Sequence, residues 1–440
     1  MARKSDTHKG DKYIAVGNNA FFLKKSGAIV EYKEGDKGDT IYGNPKTKKT
    51  GGTEIAQWGE DNLLPQQIMK MVYQNHLKPQ LLVTEEALHD GMGIDIFKKV
   101  IEGATKTVVP WPDDEIRMMV EDRLEEIGWY EIEDNIDANL IHSRNDFTHF
   151  ILNAEGKIER LVSYDFTDCR CEVMDDGGKV NNILIYGDWE NIKNDDIETV
   201  ANYTGPLQLK PDAEFILHTK NHIPGNPYYG APAWWGTRKW TEVSNEIPIF
   251  HHSGLLNGYN IKYHIQIPES YFAEYADDDK ALEAAKEKLQ DDFDEFLAGG
   301  GNNLKSFFST YREDYNGKPI NGWKFDRISS DNQHEAYIKL DTQANINHAS
   351  GHGVHPGIAG IDTGGKLGGS GSEMRIAIDT FRITKSPKFR KLKYRVLNMI
   401  KKIEGWPREM TFGNIDVQLT TLDANPTGRQ NVTEQSHGIN

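Results

Sequence analysis

The sequence predicts an α+β fold in which long helices accompany an antiparallel sheet. Between Phe147 and about Leu217, apolar and polar residues alternate with a period of two, and Gly or Asp turns separate several of the runs. Two other segments carry the period of an α-helix, Ala233 to about Leu256 and Glu373 to about Lys402. Proline removes a helical hydrogen bond, so we expect a kink in the second helix at Ser386-Pro387.

The composition favours a chain whose apolar faces are completed by other subunits. The 440 residues have length for two or three domains, yet only 37% are hydrophobic and the mean hydropathy is -0.64. These values are low for one compact enzyme of this size. The net charge of -16 argues against an ordinary nucleic-acid-binding surface, which carries a basic footprint.

The cysteines and the N-terminus indicate assembly in a reduced cytoplasm. Cys169 and Cys171 are the two cysteines of the chain, and their spacing is too close for an easy bridge within it. The opening sequence MARKSDTHKG lacks the apolar core of a signal peptide. No run approaches the roughly 20 apolar residues of a transmembrane helix, so we expect no membrane.

The N-terminal half is predicted to contain a polar arm, three helices and the sheet. Trp58-Gly59-Glu60-Asp61-Asn62-Leu63-Leu64-Pro65 forms a turn that leads into a helix with Ile68, Met71 and Val72 on one face. Two further helices are expected near Pro79–Asp90 and Asp113–Trp129. The expected strands are Thr148–Asn153, Ile158–Ser163, Arg170–Met174, Asn182–Tyr186 and Ala213–Thr219.

The segment from Ile223 to Pro268 carries the most information. Pro224 to Gly230 is a turn with two prolines and two glycines, and a long helix follows it. Asn257-Gly258 ends that helix, and the alternating run Ile261–Ile267 predicts a strand. Beyond it we expect an amphipathic helix at Ala281–Leu297, then strands at Lys305–Tyr311 and Trp323–Ile328, a helix from Ser330 to about Ser350, and a last strand at Ile415–Thr421.

This order of turn, long helix, Asn-Gly break and strand resembles the stem-to-clip passage of tailed-phage portal proteins. Three strings carry the resemblance: the W-G-x-x-N-x-x-P turn at Trp58, Tyr229-Gly230-Ala231-Pro232 before the first long helix, and Gly353-Val354-His355-Pro356 after the second. The resemblance implies an N-terminal arm (1–52), a wing (53–228), a first stem helix (229–257), a clip (258–328), a second stem helix (329–350), a tunnel loop (351–372), a long kinked helix with a closing strand (373–422) and a tail (423–440). The tail leaves little or no room for a crown.

The function implied by the resemblance is structural and not enzymatic, with no cofactor. Portal proteins form a homo-oligomeric ring, here expected to have twelve subunits, at one capsid vertex of the virion. Double-stranded DNA passes through the channel without sequence specificity, and an acidic wall would keep it from adhering. The implied partners are the terminase large subunit, a head-tail adaptor and the major capsid protein or scaffold. The alternative is a head-completion adaptor or minor capsid protein.

The Gly-rich segment Gly351–Ser372 is the expected channel loop. Nine of its residues are glycine, which favours a mobile loop. Its Gly-Lys pair is not followed by the Ser or Thr of a phosphate-binding loop, and its Asp-Thr-Gly string makes a protease using Asp362 a distant alternative. The expected DNA-facing residues are Gly357, Asp362, Thr363, Gly364, Gly365, Lys366, Gly368, Gly369 and Ser370.

Four further expectations concern interfaces. We expect Ile261, Tyr263, Ile265 and Ile267 to pair with a neighbouring subunit in the clip. Arg382–Arg408 carries ten Lys or Arg residues against one acid, so it is either a solvated face or one that meets acidic surface or DNA. His352 and His355 are expected at the surface or an interface, without a metal. The aromatic cluster at Tyr228, Tyr229, Trp234, Trp235 and Trp240 is expected to pack in the core or an interface.

Overall fold

The computed structural model describes most of the chain between residues 46 and 416. The described residues are 13–16, 20–23, 28–31, 46–50, 52–103, 105–193, 196–257, 263–268, 272, 281–282, 284–285, 288–289, 306–311, 316, 324–327, 334–361 and 371–416. Their mixture of helix and sheet confirms the α+β class. None of the helices in these ranges is both long and apolar enough to cross a membrane.

The helices, in chain order, are α1 (Leu64–Tyr73), α2 (Lys78–Asp90), α3 (Asp114–Glu126), α4 (Trp129–Ser143), α5 (Arg238–Asn257), α6 (His334–His352), α7 (Gly371–Thr384) and α8 (Ser386–Glu404). The strands are β1 (Tyr13–Val16), β2 (Ala20–Leu23), β3 (Ala28–Glu31), β4 (Thr47–Thr50), β5 (Thr53–Ala56), β6 (Ile94–Glu102), β7 (Thr105–Pro110), β8 (Asn145–Leu152), β9 (Ile158–Tyr164), β10 (Cys169–Cys171), β11 (Asn182–Ile185), β12 (Glu198–Ala201), β13 (Glu214–Lys220), β14 (Tyr263–Pro268), β15 (Ser306–Tyr311), β16 (Lys324–Arg327) and β17 (Met410–Asn414).

The main core forms where α4 and α8 pack against the sheet β13-β8-β9. Strand β8 is central in this antiparallel sheet and is buried at nearly every position, because it has a neighbour on each edge and helices on its face. Ile136 and Leu140 of α4, and Val396 and Ile400 of α8, are fully buried at helical spacing. Strand β17 then pairs with β6, so the C-terminal helix and strand close a domain that begins with the N-terminal elements.

The turn before α5 is part of this core, which confirms the packing role predicted for its aromatic residues. Tyr229 stacks on Trp58 with ring centroids 4.1 Å apart, and its hydroxyl donates to the carbonyl of Ala56 at 2.6 Å. Asn145 Oδ1 accepts from the amide of Gly230 at 2.8 Å. A Cβ on Gly230 would lie 2.5 Å from the carbonyl oxygen of Arg144, so only glycine fits there.

Helices α5 and α6 pack against each other, and the chain between them contains a small sheet. Pro248 lies inside α5, as the sequence shows, and α5 nevertheless continues to Asn257. The sheet has the order β15-β14-β16, with β14 parallel to β15 and antiparallel to β16. Both edges of β14 are therefore occupied within the chain. Pairing with a neighbouring subunit, which we predicted through Ile261, Tyr263, Ile265 and Ile267, would have to use the outer edges of β15 or β16 instead. Ile261 lies outside the described residues.

Several boundaries differ from the sequence prediction for identifiable reasons. The helix expected at Asp113–Trp129 is present as α3, and a further helix that was not predicted, α4, begins after Gly128, which adopts a left-handed φ of 77°. The expected break at Ser386-Pro387 is present, since α7 ends at Thr384 and Pro387 lies in the first turn of α8. The last described strand is Met410–Asn414, whereas the one expected at Ile415–Thr421 falls largely outside the described residues.

Candidate functional site

The candidate site is the base of the loop between α6 and α7, where the sequence predicts the DNA-facing segment. Of the nine residues predicted to face DNA, Gly357 is described, and Asp362, Thr363, Gly364, Gly365, Lys366, Gly368, Gly369 and Ser370 lie outside the described residues. The structure therefore shows how the base of the loop is held. The DNA-facing role of the residues from Asp362 to Ser370 stays a prediction.

The first part of the predicted loop is packed and not free, which corrects the expectation of a mobile segment from Gly351 onward. Helix α6 continues to His352, and Gly353 ends it with a left-handed φ of 72°. Val354 and Ile361 are buried in a cluster with Leu81 of α2 and Phe381 of α7. The amide of Ile361 donates to the carbonyl of Pro356 at 2.9 Å, which closes the intervening turn.

The end of α6 also lies very close to the start of α5. A Cβ built on Gly351 would lie 2.2 Å from Oγ1 of Thr237, so a larger residue there would force the two helices apart. The loop base is thus fixed to the helix pair at Gly351 and to α2 and α7 at Ile361.

A buried carboxylate, Glu85 of α2, holds the end of α6 in place. Its oxygens accept from Nδ1 of His352 at 2.6 Å, from Nη2 of Arg144 at 2.7 Å and from Nε2 of His89 at 3.3 Å. Burial by itself would raise the pKa of Glu85, but the hydrogen bonds from His352 and His89 and the charge of Arg144 hold it well below its usual range. Glu85 is therefore ionised and paired.

This cluster joins four helices at one point. Arg144 caps α4 in the left-handed conformation, and His89 Nδ1 lies 3.0 Å from the hydroxyl of Ser386, which opens α8. Burial lowers the pKa of His89 and of His352, so both rings are neutral donors to Glu85. His352 is only 2% exposed, which corrects the prediction of a surface or interface histidine. His355 is partly exposed, with Nε2 3.7 Å from Glu373.

Lys78 lies beside this cluster without exposure to solvent. Its ammonium nitrogen is 3.6 Å from the ring centroid of Trp234, and within the described part of the chain that nitrogen has no hydrogen-bond partner. Burial lowers the pKa of Lys78 to about 7, against the opposing charge of Glu85. Burial, followed by the charge of Lys78, also lowers the pKa of His348 on α6 to about 3.

His348 stays neutral in the folded chain. We therefore expect acid to lower the free energy of unfolding, because the unfolded chain binds a proton at His348. Below its ordinary pKa of about 6.5 the unfolded chain binds a proton that the folded chain does not, so this contribution to stability falls as pH falls. Urea unfolding of the wild type and of His348→Leu measures this effect. Relative to the wild type, we expect the free energy of unfolding of the variant to be about 2 kcal/mol higher at pH 5 than at pH 7. A pH-independent difference would contradict a neutral His348.

A second buried cluster fixes α8 to the N-terminal helices. Nζ of Lys393 lies 2.5 Å from Asp137, 2.6 Å from Glu133 and 3.1 Å from Asp90. These three carboxylates have the mutual spacing of metal ligands, but the ammonium lies among them and supplies the positive charge. Burial would lower the pKa of Lys393, and the carboxylates outweigh it and raise that pKa.

The basic stretch Arg382–Arg408 is therefore not a uniformly solvated face. Arg390 bonds to Asp416 at 3.1 Å through Nη1 and to the carbonyl of His89 at 2.6 Å, and Glu404 pairs with Arg123 at 3.2 Å. The sequence showed the charges of α8 but not their partners, of which His89 and Arg123 lie 301 and 281 residues away from the residues that they contact.

The two cysteines belong to the interior of the sheet. Cys169 and Cys171 are fully buried and free, and burial raises the pKa of both thiols. A protonated buried thiol is neither a nucleophile nor a metal ligand. At the loop base, in contrast, the charges of Glu85 and Arg144 are paired and hold helices in place.

Comparisons with known proteins give a fold relationship. No family model matches the chain, and no curated protein matches it. A chain in the solved structure described as "Neck of empty GTA particle computed with C6 symmetry" matches with a TM-score of 0.50 at 14% identity, covering 82% of this chain and 85% of that one. A chain in "Virion of native gene transfer agent (GTA) particle" matches with a TM-score of 0.49 at 15% identity, covering 82% and 85%.

Proposed function

We propose that this chain is a structural subunit of a phage-like head-tail neck, and specifically a portal protein of a tailed phage or prophage. Copies would form a closed ring at one capsid vertex, through which DNA is packaged and ejected. The similarity of fold to a neck chain of a gene transfer agent particle supports this assignment, and that neck was computed with C6 symmetry. Twelve copies, the number that the sequence resemblance implies, are compatible with sixfold symmetry.

The observation that carries the proposal is the exposed apolar surface of the α5–α6 pair. Ile249 is 59% exposed and Phe250 42% exposed on α5, and Ile338 is 62% exposed on α6. Large apolar side chains on adjacent helices indicate a surface that another protein covers. In a ring, the stem helices of neighbouring copies would cover it and would line the channel.

The loop after α6 fits the same proposal. Its base is fixed by Glu85 and by the cluster around Ile361. Because the loop follows the end of α6, a proposed stem helix, it would reach into the channel. The residues proposed to meet DNA are Gly357 and the eight predicted between Asp362 and Ser370. The proposed partners are the terminase large subunit, a head-tail adaptor and the major capsid protein or scaffold, in the virion. ATP hydrolysis would belong to the terminase, so the chain itself is proposed not to be an enzyme.

The stem surface gives a direct test. Replacing Ile338 by aspartate places a charge in the proposed helix contact, where burial of an unpaired carboxylate is costly. We expect the assembled fraction in mass photometry to fall at least about tenfold, since each contact would lose about 1–3 kcal/mol. Gln343→Asp is the matched control, because residue 343 is exposed and about 140° around the helix from Ile338.

Two outcomes would oppose this use of the stem. Equal assembly of Ile338→Asp and the wild type would show that the exposed apolar surface is not a subunit contact. If the assembled fraction fell equally in Ile338→Asp and Gln343→Asp, the added charge alone would explain the effect. Circular dichroism of the dissociated chains checks that both variants fold.

A further inference from the structure

A concave pocket lies between α8 and strand β13 of the main sheet. Its volume is about 390 Å³, and Val180, Leu217 and Met399 form a buried apolar floor. Arg395, Lys402 and Lys220 also line it. The pocket thus combines an apolar floor with three basic side chains, which is the composition of a contact site for an amphipathic partner.

The positive charge of this pocket is not neutralised by the described part of the chain. The residues that line it include no carboxylate. Lys220 donates to the backbone carbonyls of Pro227 and Tyr228, and burial lowers its pKa. Burial lowers the pKa of Arg395, and no nearby carboxylate opposes this effect. By contrast, Arg390 and Lys393 on the same helix are both paired with acids.

The shape of the pocket favours a protein side chain over nucleic acid. A duplex presents phosphates as a continuous stripe and needs an extended basic surface, which a pocket of about 390 Å³ does not offer. The apolar floor has no counterpart in a phosphate backbone. A helix that carries both apolar side chains and carboxylates matches both properties.

The outer face of α3 has these properties. Met118 and Met119 are 57% and 49% exposed, and the exposed acids Glu115 and Asp122 lie on the same stripe at spacings of three, four and seven residues. The exposed Glu125 continues it. Nearby, Tyr130 has a pKa raised by partial burial and then by carboxylates that include Glu121, which indicates a negative potential at this surface.

The two surfaces cannot meet within one chain, because they lie on opposite sides of α8. Arg123 of α3 pairs with Glu404 at 3.2 Å, which places α3 beside that residue. Lys402 is two residues earlier and therefore about 200° around the helix, whereas Arg395 is seven residues before Lys402 and shares its face. The pocket and α3 face in different directions, as a head-to-tail contact requires.

We propose that the pocket of one copy receives the Met118–Asp122 face of α3 from the next copy, and that this contact is repeated around the ring. The proposal rests on the ring function proposed above and names one of its interfaces. Arg395 and Lys402 would pair with Asp122 and Glu125, while the methionines would cover Val180, Leu217 and Met399. Such a contact joins two different surfaces, so it is heterologous and closes into a ring at a fixed rotation.

Charge exchange between two variants tests this contact. The pocket variant carries Arg395→Glu and Lys402→Glu, and the helix variant carries Asp122→Lys and Glu125→Lys. In each variant alone, the pocket and the α3 face carry charges of the same sign and repel each other. We therefore expect the assembled fraction of each variant to fall at least about tenfold. Mixed in equal amounts they restore opposite charges at every contact, so we expect particles of wild-type mass that contain both variants in a 1:1 ratio. Lys106→Glu, at an exposed position on β7, is the control for an added negative charge.

Mass photometry and denaturing mass spectrometry of the isolated particles distinguish the outcomes. Assembly of either variant alone at the wild-type level would overturn this interface and leave the ring proposal intact. Loss in both without recovery on mixing would also overturn it, because the two surfaces would then not face each other. A wild type that remains monomeric would instead contradict the proposed ring function. Recovery with alternating composition supports both, and thermal unfolding of the dissociated variants checks that they fold.

Discussion

Replacing Glu85 by alanine is expected to lower the free energy of unfolding by about 3–5 kcal/mol, because the change leaves a buried arginine without its counter-charge. Arg144 is 9% exposed and His352 is 2% exposed, so water cannot replace the lost carboxylate at either. Both groups bond to Glu85 at under 3 Å, and no compensating acid takes over within the described part of the chain. Urea unfolding at neutral pH, at one protein concentration, measures the loss.

The control for this experiment is Glu86→Ala, one residue along the same helix. Glu86 is half-buried and its pKa is raised, by burial and then by neighbouring acids such as Asp134, so it makes no comparable favourable pairing. We expect its loss to change stability by no more than about 1 kcal/mol. If Glu85→Ala were as mild as Glu86→Ala, the four-helix anchor at the loop base would not contribute to stability.

Replacing Lys393 by methionine is expected to cost a similar amount, about 3–5 kcal/mol, because three carboxylates within hydrogen-bond reach of its ammonium would lose their cation. Methionine preserves most of the volume, so the loss reports charge and not a cavity. The exposed neighbour Lys391→Met is the control and should be nearly neutral.

The Lys393 variant also carries a pH signature. Burial already raises the pKa of Asp137 to about 7, and without the ammonium, which opposes this effect, that pKa would rise further. Asp137 would then bind a proton more readily in the folded state, so the destabilisation should shrink as pH falls from 7 to 5. A loss that is equal at both pH values would indicate a packing defect and would contradict the electrostatic role assigned to Lys393.

The parts of the fold that sequence reasoning could reach are those encoded by local periodicity. The alternation of apolar and polar residues predicted strands β8, β9 and β13, although β8 is buried at nearly every position, and the long helices carry apolar residues at helical spacing. Strands β6 and β7 were missed, because their lysines and threonines give no clear alternation. Helix α4 was not predicted, and it begins directly after Gly128, which turns the chain without a proline or a longer break.

The contacts at the loop base could not be predicted from local sequence patterns. Glu85 and His89 lie four residues apart on α2, which is a visible helical pair, but the third partner, His352, lies 267 residues further along the chain than Glu85. Only the fold brings them together. A local signal for the packed part of the loop did exist, since Val354, Ile358 and Ile361 stand at helical spacing among the glycines, and the glycine content outweighed it.

The central claim is that copies of this chain close into a ring with an axial channel. Electron microscopy of the purified wild-type protein at micromolar concentration, with class averages and particle mass from the same sample, tests it most directly. We expect closed rings with a central hole, of about twelve chains, formed without added nucleotide or metal. Monomers, or compact particles with no axial opening across the same concentrations and salts, would contradict it.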